Sequence, residues 1–147
     1  MTGLYRNPEI KDELAEWRES FTTLDAIKKV YDQDSYVVAE FACGAGCSAL
    51  ASIRCNMRHA FTTESNPHKA KLVEKLTQAP CLGEHYAINF KEVRKKYGHC
   101  HMIRTGFPCT DYARSSTTQS GEHGDTGWLF THQCESLLEM QPDLIMI

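Results

Sequence analysis

The stretch from Tyr36 to Ser48, YVVAEFACGAGCS, decides how the rest of the chain is read. Its apolar opening, YVVAEF, is too short for a helix and rich in residues that suit strands, and CGAG closes it. A buried strand running into a glycine turn is the natural reading. SALASIRCNM follows with helical composition and with Leu50, Ile53 and Met57 on one side. Strand, tight turn and helix in that order form one unit of an α/β sheet.

Working outward toward the C-terminus, AFTT is a second strand candidate that ends at Glu64. Asn66 and Pro67 then open the helix HKAKLVEKL, because Asn caps orphan amides and Pro is tolerated in the first turn. The alternation continues with HYAI as a strand, FKEVRKKY as a helix, HMIRT as a strand, WLFTHQCESLLEM as a helix and DLIMI as a strand. Five strands alternating with helices imply a mostly parallel sheet with helices on both faces, since parallel neighbours need crossover connections. Such sheets bind ligands outside the carboxyl ends of their strands. The segment from Gly106 to Gly127, rich in Gly, Ser, Thr and Asp, reads as a long functional loop. Toward the N-terminus, Asn7 and Pro8 start an amphipathic helix with the stripe Ile10, Leu14, Trp17 and Phe21, and a short helix from Thr23 to Tyr31 follows. The expected division is therefore a helical segment over residues 1 to 34 that packs on a core domain over residues 35 to 147.

Composition bounds the function. At 147 residues, with 41% hydrophobic and 24% charged residues and a net charge of −3, the chain fits one globular domain and is not disordered. No apolar run reaches the roughly 20 residues a membrane-spanning helix needs, and the opening MTGLYRNPEIKDELAEW lacks the order of a secretory signal. The expectation is a soluble intracellular protein, of cytoplasm or nucleus, with no membrane partner. Seven cysteines, an odd number in a chain without an export signal, are read as reduced thiols. The slight acidity argues against a surface that is one electrostatic platform for nucleic acid. Local clusters at Lys69, Lys71 and Lys75 and at Lys91, Arg94, Lys95 and Lys96 remain, read as solvated helix faces.

Two constellations carry chemistry. In the first, Gly44 and Gly46 let the backbone turn tightly and approach a ligand, and Glu64 at the next strand end is placed to accept hydrogen bonds from ribose hydroxyls. That pairing is the logic of nucleoside-containing cofactors. G-A-G-C-S-A satisfies the dinucleotide fingerprint, but Glu40 ahead of the turn instead resembles the first motif of Rossmann-like methyltransferases that bind S-adenosylmethionine. In the second, Cys109 stands in a polar loop beyond the HMIRT strand, where Arg104 or Arg114 could favour its thiolate. A metal centre built from Cys43, Cys47, His99, Cys100, His101, His123 and His132 is not expected, because no C-x-x-C pair exists and strand alternation separates Cys100 from its flanking histidines. His59, His68 and His85 read as loop or strand-edge residues.

The order E-F-A-C-G-A-G at 40 to 46, T-E-S-N at 63 to 66, G-F-P-C at 106 to 109 and G-D-T-G-W-L-F at 124 to 130 resembles the N-terminal half of a C5-cytosine-specific DNA methyltransferase over residues 36 to 147. The resemblance implies a Rossmann-like fold, incomplete at its C-terminus, that binds S-adenosylmethionine. It implies that Cys109 adds to C6 of a flipped-out cytosine so that C5 takes the methyl group. It assigns the cofactor to Glu40, Phe41, Ala42, Gly44, Gly46, Glu64, Ser65, Asn89, Pro108 and Leu129, with nucleic acid, DNA in preference to RNA, as partner. Asn89 stands where the family usually has an acid near the adenine.

Departures from the family pattern shape the expectation further. Thr110 follows the nucleophile where a glutamine is common, and Ala42 replaces a phenylalanine, with Phe41 as the candidate to restore stacking on the adenine. The chain stops at Ile147, before the family's Glu-Asn-Val segment. Weak cofactor affinity and little or no turnover by this chain alone are therefore expected. The alternative is a non-catalytic cofactor-binding module that self-associates, or takes a complementary chain, through the apolar C-terminal strand.

Overall fold

The structure, a computed structural model, describes residues 35–107, 111–112, 121–124 and 126–147. The helical segment expected over residues 1 to 34 lies outside the described residues, as do Pro108, Cys109, Thr110 and Arg114.

Strand β1 (Val37–Phe41) leads through the glycine turn into helix α1 (Cys47–Arg54), then β2 (Arg58–Thr62) and α2 (Pro67–Thr77). Helix α3 (Phe90–Tyr97), β3 (Met102–Thr105), α4 (Trp128–Met140) and β4 (Leu144–Met146) complete the alternation. The strands form one parallel sheet in the order β2-β1-β3-β4, so the chain steps outward from β1 in both directions. This is the expected Rossmann-like α/β arrangement, and it gathers the ends of β1, β2 and β3 at one rim.

Period-two alternation in β1 divides the core. Ala39 and Phe41 face α3 and α4, where they pack with Phe61, Phe90, Val93, Ile103, Leu137 and Met140. Val38 and Glu40 face the other way, and there the Ser48 hydroxyl of α1 donates to Glu40 at 2.7 Å. Asn66 caps α2 by accepting from the amides of His68 and Lys69, as its sequence position predicts. Gly46 has φ of 84°, and a β-carbon there would lie 3.0 Å from Leu76 and 3.1 Å from Val73, so only glycine seats α1 this closely on α2.

One expected strand is absent among the described residues. HYAI forms a single 3₁₀ turn, His85–Ala87, instead of a fifth strand. The outer edge of β2 is met by residues 80 to 82, with one parallel bridge between Thr62 and Cys81 and a bond from the Leu82 amide to the Thr62 carbonyl at 2.8 Å. Gly83, at φ 83°, then turns the chain away from the sheet, and the segment buries His85 instead of extending. At the opposite edge, the β4 side chains Leu144, Ile145 and Met146 are exposed.

Candidate cofactor and active site

The turn after β1 is knitted to the end of β2 by backbone bonds. The Thr63 amide donates to Glu40 O at 2.8 Å, and the Cys43 amide donates to Thr63 O at 3.0 Å. Into this frame Glu64 inserts its carboxylate, with Oε2 accepting from Gly44 N at 2.8 Å and Oε1 from Asn66 N at 2.9 Å. Each carboxylate oxygen keeps a free lone pair for a further donor. A β-carbon at Gly44 would meet open space, so the turn presents bare backbone beside that acid. A carboxylate next to an unobstructed glycine turn suits a ligand with vicinal hydroxyls.

Two depressions flank this turn and share Ala42, which is held at φ 51°. The smaller, about 100 Å³, is lined by Ala42, Glu64, Ser65, Tyr86, Leu129 and Gln133, among others. The larger, about 260 Å³, is lined by Glu40, Cys43, Ser48, Arg104, Gly106 and Met146, among others. Four of the residues expected at the cofactor, Ala42, Glu64, Ser65 and Leu129, thus meet in one depression. Asn89 does not join them: its side chain accepts from the amides of Lys91 and Glu92 as the cap of α3, and it borders a separate hollow with Ile88 and His132.

Glu40 and Phe41 both line the larger depression, while their side chains also serve the core. The Phe41 ring is 1% exposed and packs against Phe61, His85 and Phe90, so strand alternation turns it into the core and away from the place vacated by a phenylalanine at position 42. Glu40 is buried and answered by Ser48, by His59 Nε2 at 3.2 Å and, at 4.0 Å, by Arg104. Arg104 also donates to Ser48 O at 2.8 Å. Its guanidinium is therefore engaged with the Glu40 cluster on the α1 side of the sheet. His59, read from sequence as an edge residue, is a buried partner of Glu40.

His85 is the second histidine that sequence misplaced. The Ala42 amide donates to Thr63 Oγ1 at 2.9 Å, and that hydroxyl lies 3.4 Å from His85 Nδ1. On the far side His85 Nε2 lies 3.1 Å from Ser136 Oγ, which itself donates to His132 O at 2.8 Å. This donor order assigns His85 the neutral tautomer with its proton on Nε2. Burial, with His132 nearby, lowers its pKa to about 4, in keeping with that state.

The described residues on both sides of Cys109 are moored. Before it, the Gly106 amide donates to Phe41 O at 3.1 Å, and Gln133 of α4 donates from Nε2 to Gly106 O at 3.0 Å while its Oε1 accepts from the Thr105 hydroxyl. After it, Asp111 accepts from the Thr126 amide at 2.9 Å and hydroxyl at 2.6 Å, which hold its carboxyl below the usual range, and Tyr112 donates to Gly127 O at 3.1 Å. Phe107, Tyr112 and Phe130 cluster at 4.9 to 6.0 Å between ring centres, and a β-carbon at Gly124 would run into Asp111. Gln133 and Asp111 have no sequence signal beyond their nearness to the motif.

Cys43, a thiol of the glycine turn, is a poor nucleophile. Burial, then the neighbouring Cys81, Glu40 and Glu64, push the Cys43 thiol up to about 12. Cys100 is buried at the far end of the sheet with its thiol raised to about 11, while His99 bonds Asp143 at 2.9 Å and His101 accepts from Val37 N at 3.0 Å. Among the described residues no group of three or more His, Cys, Asp and Glu side chains could hold a metal ion.

With this geometry in place, the comparison with known families is decisive: residues 36–147 match the model of the C-5 cytosine-specific DNA methylases. The chain belongs to that family. The methylase motifs account for why a glycine turn, Glu64 and the start of the Cys109 loop converge at one rim. Among solved structures, it is similar to one described as a DNA modification methyltransferase encoded within a prophage (E. coli), with 18% identity and a TM-score of 0.57 over 74% of this chain. That likeness shows the fold, and the chain spans 30% of that structure's length. A TehB-like SAM-dependent methyltransferase from Corynebacterium glutamicum, at 11% identity and a TM-score of 0.39, covers 74% of this chain and 61% of its own; the likeness carries no argument. No curated protein matches the sequence.

Proposed function

We propose that this methylase chain serves methyl transfer from S-adenosylmethionine to C5 of cytosine in DNA, with Cys109 as the nucleophile, inside the cell. The observation that carries the reading is the bond from Gly106 to Phe41 O, which starts the G-F-P-C loop directly beside the glycine turn in a chain whose family acts on cytosine C5. The protein's residues divide the work. Glu64 takes the ribose hydroxyls on its free lone pairs, and Gly44, Gly46, Ala42, Ser65, Pro108 and Leu129 enclose the rest of the cofactor. Bound S-adenosylmethionine supplies an electrophilic methyl group. The Cys109 thiolate forms a bond to C6 of the extruded base, and the ring electrons displaced toward C5 make that carbon nucleophilic. After methylation, loss of the C5 proton to a base restores the C5–C6 double bond and expels the thiolate. An ordinary thiol is only a few per cent ionised at neutral pH, so the addition is slow without a group that polarises the base.

The test is a DNA oligonucleotide whose cytosine bears fluorine at C5, incubated with the protein and S-adenosylmethionine. Fluorine cannot leave as a proton does, so a covalent adduct accumulates and is lost in Cys109→Ser. Absence of adduct from a chain that binds the cofactor would instead favour the second reading, a non-catalytic cofactor-binding module. The exposed apolar strand β4 favours that module's pairing with itself or a complementary chain. An adduct on RNA but not on DNA would overturn the choice of substrate.

A further inference from the structure

Neither position beside the glycine turn where an aromatic face would be most direct offers one. Ala42 and Ser65 are both small, and both line the smaller depression. Phe41 cannot substitute, because its ring is consumed by the core on the other side of the backbone. His85 lines the same depression but is buried between the Thr63 and Ser136 hydroxyls. A purine placed here still needs a flat apolar surface, since hydrogen bonds to its edge alone compete poorly with water.

Tyr86 supplies such a surface. It lines the depression with Glu64 and Ser65, and at 49% exposed it keeps part of its ring open to a ligand. Its ring meets Trp128, itself 43% exposed, edge-on at 5.6 Å and 62° between planes. An edge contact covers one face of the tyrosine at most. The phenol is also tied to Glu84, whose hydrogen bond and negative charge raise its pKa, so the ring is held at both edge and tip. A ring fixed in this way loses little freedom when a base settles on it.

We infer that Tyr86, braced by Trp128 and Glu84, is the stacking platform for the adenine ring of the cofactor. Tyr86 thus takes over the part that the resemblance gives to a phenylalanine at position 42. The inference rests on the reading that the smaller depression receives S-adenosylmethionine, and it names the residue that grips the base there. Trp128 acts through Tyr86 as a positioning residue.

Calorimetric titration of the full chain with S-adenosylhomocysteine, the inert product, separates the possibilities. Base stacking on one aromatic ring is worth enough that Tyr86→Ala should weaken binding about tenfold or more, while Tyr86→Phe, which keeps the ring, should stay within about threefold of wild type. Thermal unfolding of Tyr86→Ala at the wild-type midpoint would show that the half-exposed side chain is not needed for folding. Nuclear Overhauser contacts between adenine protons and Tyr86 ring protons in the unaltered protein give a second readout that needs no variant. Wild-type affinity in Tyr86→Ala, or adenine contacts confined to other residues, would overturn the platform while leaving the cofactor site intact. Failure of the wild-type chain to bind S-adenosylhomocysteine would instead remove the cofactor reading, and the platform with it.

Discussion

Glu40 and Glu64 close the same rim of the sheet, and the motif assigns both to the cofactor, yet the structure uses them in opposite ways. Glu40 is answered by side chains: the Ser48 hydroxyl, the His59 imidazole and the Arg104 guanidinium, across three elements. Glu64 is answered by two backbone amides, one from the glycine turn and one from the start of α2. An acid answered by side chains from neighbouring elements ties those elements together. An acid oriented by main-chain donors is aimed and still has capacity for a ligand. The identity of their partners, more than burial, separates the two carboxylates.

The widest gap between the two should appear in stability. Removing the Glu40 carboxylate leaves the buried His59 ring and the Ser48 hydroxyl without their acceptor, so Glu40→Ala should lose about 2 to 4 kcal/mol in urea unfolding. A loss under about 1 kcal/mol would erase the distinction. Acid titration probes the layer behind Glu64, where Thr63 links the turn to His85. His85 is held neutral with its pKa lowered from 6.5 to about 4, so the unfolded chain binds the extra proton first as pH falls. The contribution, up to about 3 kcal/mol, is complete above pH 6.5 and is lost between there and about pH 4; a flat stability profile over that range in wild type, or an unchanged one in His85→Phe, would count against it. The smallest effect sharpens the contrast most. Glu64→Gln should cost about 1 kcal/mol of stability or less but weaken S-adenosylhomocysteine about tenfold, the reverse of the Glu40 pattern. Equal losses of affinity in Glu40→Gln and Glu64→Gln would return both acids to the cofactor.

Much of this was legible in the sequence, because the elements that repeat apolar residues at a fixed period are the ones that form. β1, α1, β2, α2, α3, β3, α4 and β4 follow from such runs and from the Asn66 cap. HYAI was not legible, since a few residues alternating in polarity look the same in a strand and in a 3₁₀ turn; what decided it was the bend at Gly83 and the aromatic pocket that admits His85. Glu64 was legible as a strand-end acid. The partners of Glu40 were not, because His59 and Arg104 reach it only through the register of two neighbouring strands, which no local pattern encodes. Phe41 shows the reverse lesson. Its place one residue after Glu40 in a strand already puts the two on opposite faces, and the shared rim obscured that.

The moorings on either side of Cys109 both lead to the first turns of α4 and the residues just before it, through Gln133 on one side and Thr126, Gly127 and Phe130 on the other. The described residues that flank Cys109 are therefore anchored to the same helix and its approach. A disturbance beneath Leu137 or Met140, deep under that helix, would shift those anchors, so the seating of one helix bears on the described residues at both ends of the Cys109 segment.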